Sequence, residues 1–179
     1  GTFAEFVPVP IEFVSRRPAA IDAALGAALP CVGVTAVALC DHGQVGRGSR
    51  VLVNGAAGGV GHMAVQVAKA RGAHVTAVAS AGRRHFVTVL GADAFIDYRA
   101  EPVEQWPAGF DAVLDCVPNL PRNCHGRLLK HGGHYASTLP NAWTYTLDPL
   151  LNRVGRLERR AVMLRPSEPA MQELLCYWA

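Results

Sequence analysis

A glycine-rich turn at residues 54–61, which reads NGAAGGVG, has the residue types that bind a phosphate group. It follows three apolar residues at 51–53 that are typical of a short buried strand. Glycines let the backbone come within contact distance of a pyrophosphate, because no Cβ intervenes. The N–H groups at the start of the following helix then face the anion. The turn therefore predicts phosphate binding, although an ordinary tight turn between a strand and a helix has similar residues.

The helix predicted after this turn is amphipathic and ends at Gly72. Its apolar residues share one face, and they are Val60, Met63, Ala64, Val67 and Ala68. In the dinucleotide fingerprint G-x-G-x-x-G, the corresponding positions are Ala56, Gly58 and Gly61, so alanine replaces the first glycine. A β-rich segment at residues 75–79 closes a βαβ unit of about 30 residues.

The residues after this second strand indicate which dinucleotide would bind. An NAD site usually has an acidic side chain here for the ribose 2′-OH, whereas this chain has Ser80, Arg83 and Arg84 and no carboxylate. A guanidinium group suits a 2′-phosphate, which it binds through charged hydrogen bonds. We therefore predict NADPH as the cofactor. The alternative is that the two arginines lie at a solvated helix start, and one of them is expected to do only that.

Alternating strands and helices predict an α/β fold, a doubly wound parallel sheet of about six strands (the Rossmann fold) with helices on both faces. Residues 1–10 read as an extended strand, and helices are expected at 18–28, from Pro30 to the glycine at 43, and at 83–90. Later strands are predicted at 94–98, 110–117, 134–138 and 160–164, with helices at 120–130 and after Ser167. Ligands bind such sheets at the carboxyl ends of the strands. This rule places the following residues on one rim: Asn54, Ser80, Tyr98, Cys116, Val117, Ser137 and Thr138.

Composition excludes several classes of function. The chain has 179 residues, of which 50% are hydrophobic and 17% charged, so a sizeable packed core is expected. The net charge of +3 is scattered, which argues against nucleic acid as a partner. The longest apolar stretch, Cys31 to Cys40, is shorter than the roughly 20 residues of a membrane helix, so no membrane contact is expected. Five widely spaced cysteines predict reduced core residues and a cytoplasmic protein. We expect no metal site, and we expect the histidines, such as His125, at the surface or an edge.

Several motifs in order resemble the zinc-independent quinone oxidoreductase branch of the medium-chain dehydrogenase/reductase superfamily. They are GTFAEFV at residues 1–7, AALP at 27–30, GVTA at 33–36, NGAAGGVG at 54–61, LGAD at 90–93 and IDY at 96–98. The resemblance implies a two-domain enzyme whose catalytic, GroES-like domain is largely missing here. Residues 1–20 would be a remnant of the catalytic-domain edge and linker, and residues 21–179 the dinucleotide-binding domain.

The resemblance also implies cofactor contacts. Those for the pyrophosphate turn correspond to Ala57, Gly58, Gly59 and Val60, and those for the 2′-phosphate to Ser80 and either Arg83 or Arg84. Tyr98 corresponds to an adenine-side tyrosine, Cys116 and Val117 to the loop after the fourth strand, and Thr35 to a threonine beside the nicotinamide amide. Alternatively, Thr35 bonds a preceding helix carbonyl and Tyr98 is only an edge aromatic. The stiff segment 117–121 replaces the family's glycine-rich turn.

The function implied is hydride transfer from the nicotinamide of NADPH to a quinone or enone. No catalytic acid or nucleophile can be named, since Asp111 and Asp115 are expected to be solvated or to bond turns at the two ends of a strand. The alternatives are a non-catalytic NADPH-binding or protein-interaction module, and a domain recruited to non-redox work. We further expect a homodimer formed partly through the strand at residues 160–164, because an edge strand has unpaired backbone groups.

Overall fold

Six strands form one parallel sheet in the computed structural model, which describes residues 3–139, 158–162 and 167–178. The strands are β1 (Arg50–Asn54), β2 (His74–Ala79), β3 (Ala94–Asp97), β4 (Phe110–Asp115), β5 (Leu129–Ser137) and β6 (Glu158–Ala161). Their order across the sheet is β3-β2-β1-β4-β5-β6, and every neighbouring pair is parallel. The predicted Rossmann sheet is confirmed, and the strand order reverses direction between β1 and β4.

The α-helices of the described residues are α1 (Ala23–His42), α2 (Gly59–Ala70), α3 (Arg84–Val89), α4 (His125–Leu128) and α5 (Glu168–Trp178). Short 3-10 helices lie at Ile11–Phe13, Ala81–Arg83, Val103–Gln105 and Arg122–Cys124. Helix α5 begins as predicted, because the Ser167 hydroxyl accepts a hydrogen bond from the Ala170 amide at 3.3 Å.

The core has two layers, because successive side chains of a strand point to opposite faces. Val51 and Val53 of β1 pack into one apolar cluster that includes buried residues of α1, α2 and α5. Leu52 between them packs into a second cluster on the opposite face, with Trp106 and Phe110. All three β1 side chains are completely buried. The sheet is therefore covered on both faces, as the doubly wound arrangement requires.

Helix α1 corrects the prediction of two separate helices. It runs without a break through Pro30, which lies inside it and not in the first turn of a second helix. It begins at Asp22, whose side chain accepts a hydrogen bond from the Leu25 amide at 2.9 Å. The proline removes one helical hydrogen bond, but buried residues on both sides of it, such as Leu29 and Val34, hold the helix against the core.

Helix α1 also shows that the apolar region is longer than the predicted stretch from Cys31 to Cys40. Its 20 residues are long and apolar enough to cross a membrane, by length and composition alone. In the folded chain, 44% of its most apolar window is buried, and the helix packs against α2 and α5. Core helices of globular proteins share this length and composition.

Other predicted elements differ at their ends. Residues 3–10 form no strand, because no other strand pairs with them in the described sheet. The helix predicted at 120–130 is reduced to a 3-10 turn and the four residues of α4, because the chain enters β5 at Leu129. The sixth strand ends at Ala161, and the rest of its predicted range from residue 163 lies outside the described residues. The helix predicted at 83–90 has its α-helical part at Arg84–Val89, where Phe86 is 41% exposed.

Candidate functional site

The turn after β1 depends on two glycines that approach other backbone or side chains closely. Gly55 has φ +74°, and a Cβ there would lie 2.2 Å from Val117 Cγ2. A Cβ at Gly61 would lie 2.0 Å from the Gly55 carbonyl oxygen. The residue that makes the tight turn is therefore Gly55, one position before the first position of the fingerprint. Ala56 at that first position is completely buried, and its amide donates to the Val78 carbonyl at 3.0 Å.

The N-terminus of α2 has the properties of a pyrophosphate site. The helix begins after Gly58, which has no side chain to cap the helix, and its first turn contains no acidic residue. The first N–H groups of a helix have no partner within that helix, and they carry the positive end of its dipole. Gly58 and Gly59 are exposed, and the predicted contacts Ala57 and Val60 are half-buried beside them. These residues fit the pyrophosphate of a dinucleotide.

The end of β2 presents the residues predicted for the 2′-phosphate. Ser80 is half-buried, and its carbonyl accepts a hydrogen bond from the Arg83 amide at 2.8 Å. Arg83 and Arg84 are both exposed. The Arg84 guanidinium carbon lies 4.4 Å from the ring centroid of Phe95, which is a cation–π contact. The two arginines are therefore not equivalent, since Arg84 is oriented by the aromatic ring.

Tyr98 and Thr35 lie as their alternative interpretations predict, at an edge of the described sheet and bonded to a preceding helix carbonyl. Tyr98 is 50% exposed and follows β3, which is an edge strand. Thr35 is buried in α1, and its hydroxyl donates to the Cys31 carbonyl at 2.7 Å. Helix α1 passes close to the start of α2. At Gly59, a Cβ would lie 3.3 Å from Val32 Cγ1 of α1. Cofactor contacts by Tyr98 and Thr35 stay predictions.

A buried polar network joins the ends of β1, β4 and β5. Asp115 is completely buried, and its Oδ1 accepts hydrogen bonds from Asn54 Nδ2 at 2.8 Å and from the Val117 amide at 3.3 Å. Its Oδ2 accepts a hydrogen bond from the Tyr135 hydroxyl at 2.5 Å. Asn54 Nδ2 also donates to Asn119 Oδ1 at 2.9 Å. Of the two expectations for Asp115, turn bonding is confirmed by the Val117 amide two residues further on, and solvation was wrong, because the residue is completely buried.

Tyr135 and His125 extend this network toward the second core layer. Their rings stack with centroids 3.7 Å apart, and both residues are buried. Burial raises the pKa of Tyr135 far above its ordinary value, and the neighbouring Asp115 acts in the same direction. Burial, and after it the charge of Arg159, lowers the pKa of His125 to about 4. His125 is thus neutral at pH 7 and is not the surface residue that the sequence predicted.

The cysteines are unpaired, but only some of them lie in the core. Cys31 and Cys176 are exposed, which corrects the expectation of five core residues, whereas Cys40 and Cys124 are buried. Cys116 is half-buried after β4, and burial raises the pKa of its thiol well above its ordinary value, as Asp115 also does. A protonated thiol is a poor nucleophile.

Most of the predicted site residues lie together at the carboxyl edge of the sheet. The glycine-rich turn after β1 and the loop after β4 are at the centre of this edge. Thr35 belongs to α1 and not to a strand of the sheet. Sequence reasoning missed the roles of Gly55, Asp115, Asn119 and Tyr135. For Asp115, the available signal was a carboxylate directly after the apolar residues Val113 and Leu114. In the described part of the chain, no group of three or more His, Cys, Asp or Glu residues could hold a metal ion.

Comparisons with known proteins agree with this geometry. Residues 59–138 match the zinc-binding dehydrogenase family. The chain is 38% identical over 163 residues to a chloroplast envelope quinone oxidoreductase homolog from Arabidopsis thaliana, and the match covers 84% of this chain and 50% of the relative. It is 42% identical over 170 residues to a mitochondrial NAD(P)H oxidoreductase from Bos taurus, covering 88% of this chain and 42% of the relative.

Solved structures show the same relationship. The quinone oxidoreductase from Thermus thermophilus, which has also been solved in complex with NADPH, has a TM-score of 0.77 and 31% identity, covering 99% of this chain and 60% of that one. The quinone oxidoreductase from Coxiella burnetii has a TM-score of 0.76 and 26% identity, covering 89% of this chain and 50% of that one. The chain spans about half the length of the curated relatives it matches.

Proposed function

Because the chain belongs to the quinone oxidoreductase-like proteins of the medium-chain dehydrogenase/reductase superfamily, we propose that it binds NADPH for hydride transfer to a quinone or another conjugated carbonyl. The uncapped start of α2 beside Gly55 and Gly61 is the observation that carries this proposal. The comparisons favour this function over a domain recruited to non-redox work. Hydride transfer from the reduced nicotinamide ring is the chemistry that the bound cofactor would supply.

The chain's own residues would bind and orient the dinucleotide. The amides of Gly59 and Val60 at the start of α2 would donate to the pyrophosphate, whose charge the helix dipole stabilises. Val117 and the neutral thiol of Cys116 would contact the cofactor from the opposite side of the crevice. Thr35, on the helix that passes the start of α2, would contact the nicotinamide amide. These contacts would fix the orientation of the reacting ring, which is how a protein without a nucleophile contributes to hydride transfer.

NADPH is proposed over NADH on the basis of the residues after β2. Ser80 and Arg83 lie where an NAD site usually has a carboxylate. Of the two arginines, we propose Arg83 as the 2′-phosphate ligand, because Arg84 would have to leave its contact with Phe95. A guanidinium group donates two hydrogen bonds to a phosphate, which an NADH molecule does not offer at this position.

Calorimetric titration of the chain with NADPH and with NADH tests this function. We expect both dinucleotides to bind and NADPH to bind more tightly. Gly58→Asp would place a carboxylate at the start of α2, where like charge repels the pyrophosphate, so it is expected to abolish binding of both. The absence of binding by the unmodified chain would contradict the proposal, and equal affinities would contradict the preference for NADPH.

Residues 1–20 are proposed to belong to the edge of a catalytic domain and its linker, and residues 21–179 to the cofactor domain. Large apolar side chains in this first segment are exposed; Phe3, Phe6 and Ile11 are more than 80% accessible. Apolar surface of this kind is typical of an interface with another domain. In this arrangement the substrate would lie between the two domains, and zinc-independent chemistry remains the prediction.

A homodimer is proposed through β6, which lies at the edge of the sheet. Among the residues that the structure describes, β5 is the only strand that pairs with β6, and the backbone groups of β6 that face away from β5 could pair with a second copy. Sedimentation of the chain at tens of micromolar is expected to show a dimer. The Val162 amide donates to the Ser137 carbonyl of β5, and successive amides of a strand alternate in direction, so the Ala161 amide faces away from β5. Ala161→Pro would remove this donor and is expected to shift the population toward monomer, whereas a monomeric unmodified chain would contradict the proposal.

A further inference from the structure

The loop after β4 folds back over the point where the sheet reverses its strand order. β1 and β4 are neighbours, and the register places Asn54 opposite Asp115 at their carboxyl ends. The chain continues from β1 to one side of the sheet and from β4 to the other, so a crevice opens between the two connections. Ligands of doubly wound sheets bind in this crevice. Asn119, four residues after Asp115, reaches across it to the side chain of Asn54.

The hydrogen bonds of Asn54 fix which atom of Asn119 faces it. A carboxylate only accepts hydrogen bonds, so the Asn54 group at 2.8 Å from Asp115 Oδ1 is the amide nitrogen. Its two hydrogens are then used by Asp115 and by Asn119 Oδ1, which lies 2.9 Å away. Tyr135 and the Val117 amide hold Asp115 in turn. The orientation of Asn54, and with it the acceptor position for Asn119, is therefore set by buried groups.

Two further features hold the loop in this place. The Val117 side chain lies against Gly55, where a Cβ would come within 2.2 Å of it. Pro118 and Pro121 restrict the backbone on both sides of Asn119. A glycine-rich loop would lose more conformational entropy when it closes on a ligand, whereas this segment is already restrained.

We propose that Asn119 is a positioning residue for a nicotinamide dinucleotide, since its hydrogen bond to Asn54 fixes the 117–121 segment across the crevice where the pyrophosphate and nicotinamide half would lie. This inference rests on the proposed function. The restrained loop presents Cys116 and Val117 to the cofactor without a closing step. The adenosine half would lie at the ends of β2 and β3, away from this hydrogen bond.

Calorimetry on Asn119→Ala with two ligands tests the proposal. The ligands are NADPH and its isolated adenosine half, adenosine 2′,5′-bisphosphate. We expect the Kd for NADPH to rise about tenfold, the effect of one lost hydrogen bond, and the Kd for the adenosine half to stay unchanged. Asn123→Ala is the matched control, because Asn123 is an exposed asparagine of the same connection and its side chain contacts Cys124 and not Asn54. It is expected to leave both dissociation constants unchanged.

Hydrogen exchange of the Val117 amide gives a second measurement that needs no ligand. This amide donates to Asp115 Oδ1, and we expect it to exchange faster in Asn119→Ala than in Asn123→Ala. An unchanged Kd for NADPH in Asn119→Ala would overturn the positioning role. An equal loss of affinity for NADPH and for the adenosine half would overturn it as well, because it indicates general damage to the fold. Failure of the unmodified chain to bind NADPH would overturn the proposed function itself.

Discussion

The carbonyl oxygen of Gly55 lies so close to Gly61 that a Cβ at position 61 would come within 2.0 Å of it. The two residues bring the end of β1 and the first turn of α2 into backbone contact. This contact aims the helix start at the crevice between β1 and β4. Neither residue carries a side chain, yet their approach determines where an anion could bind.

Gly61→Ala is expected to destabilise the chain by about 1–3 kcal/mol, because backbone atoms of Gly55 and Ala56 would have to move. Binding of NADPH would weaken as well, since the start of α2 would shift. Urea unfolding and calorimetry measure the two effects. Gly82→Ala is the control, because a Cβ at this exposed position meets nothing within 4 Å; an equal loss of stability in both variants would contradict the argument.

Arg83→Ala is expected to weaken NADPH binding by about 1.5–3 kcal/mol, the range for a lost charged hydrogen bond, and to leave NADH binding unchanged. Arg84→Ala is the matched comparison, and its effect should be smaller because Arg84 packs over Phe95. Calorimetric titration of both variants with both dinucleotides makes the measurement. A larger loss in Arg84→Ala would reverse the assignment of the two arginines.

His125 is expected to make stability depend on pH. Its pKa is about 4 in the folded chain and about 6.5 when unfolded, so the unfolded chain binds the proton more tightly between these values. The stabilisation is complete above pH 6.5 and is lost as the pH falls toward 4, by roughly 2 kcal/mol between pH 7 and pH 5. Urea unfolding at these two pH values measures it.

His125→Phe is the variant for this measurement, because it keeps an aromatic ring against Tyr135 and removes the titrating group. The free energy of unfolding should fall less between pH 7 and pH 5 in this variant. His42, whose pKa is also lowered, mainly by burial, contributes equally to both proteins. An identical pH dependence in the two would show that His125 is not the group responsible.

Arg71 connects three helices, and its two carboxylate partners should differ in importance. Its guanidinium donates two hydrogen bonds of 2.9 Å to Glu173 of α5. It donates one of 2.7 Å to Asp41 of α1. The Glu173 side chain is 29% exposed and the Asp41 side chain 61%. The hydrogen bond from Arg71 lowers the pKa of Glu173, so this contact stabilises the folded chain above the ordinary carboxyl pKa and is lost as the pH falls below it.

Glu173→Gln is therefore expected to destabilise the chain by about 1–2 kcal/mol at pH 7, since it weakens a partly buried, two-bond contact. Asp41→Asn should cost at most about 0.5 kcal/mol, as is usual for exposed ion pairs. Chemical denaturation at low and high salt compares them. A larger effect of Asp41→Asn would contradict the ranking by exposure.

The fold and part of the site were predictable because local patterns encode them. Apolar strands, the NGAAGGVG turn and the helix after it define a βαβ unit from their spacing alone. Because all strands of a parallel sheet end at the same edge, Asn54, Ser80 and Tyr98 are expected on one edge, where ligands bind. The continuous helix α1 was missed because Pro30 is a local signal against a helix, and packing of its buried face overrides that signal.

Tertiary structure alone decided the partners of those polar side chains that bond residues far away in the sequence. Asn54 and Asp115 are 61 residues apart in the chain, and only the register of β1 against β4 makes them neighbours. Packing of separate elements likewise brings the Tyr135 hydroxyl to Asp115. It also brings Arg71 to Glu173, which is 102 residues away in the chain. The sequence by itself determined the elements and the backbone that could bind a phosphate, because periodicity and glycine positions are local. The burial, charge state and hydrogen-bond partners of the site residues follow from contacts between distant segments, which no local pattern contains.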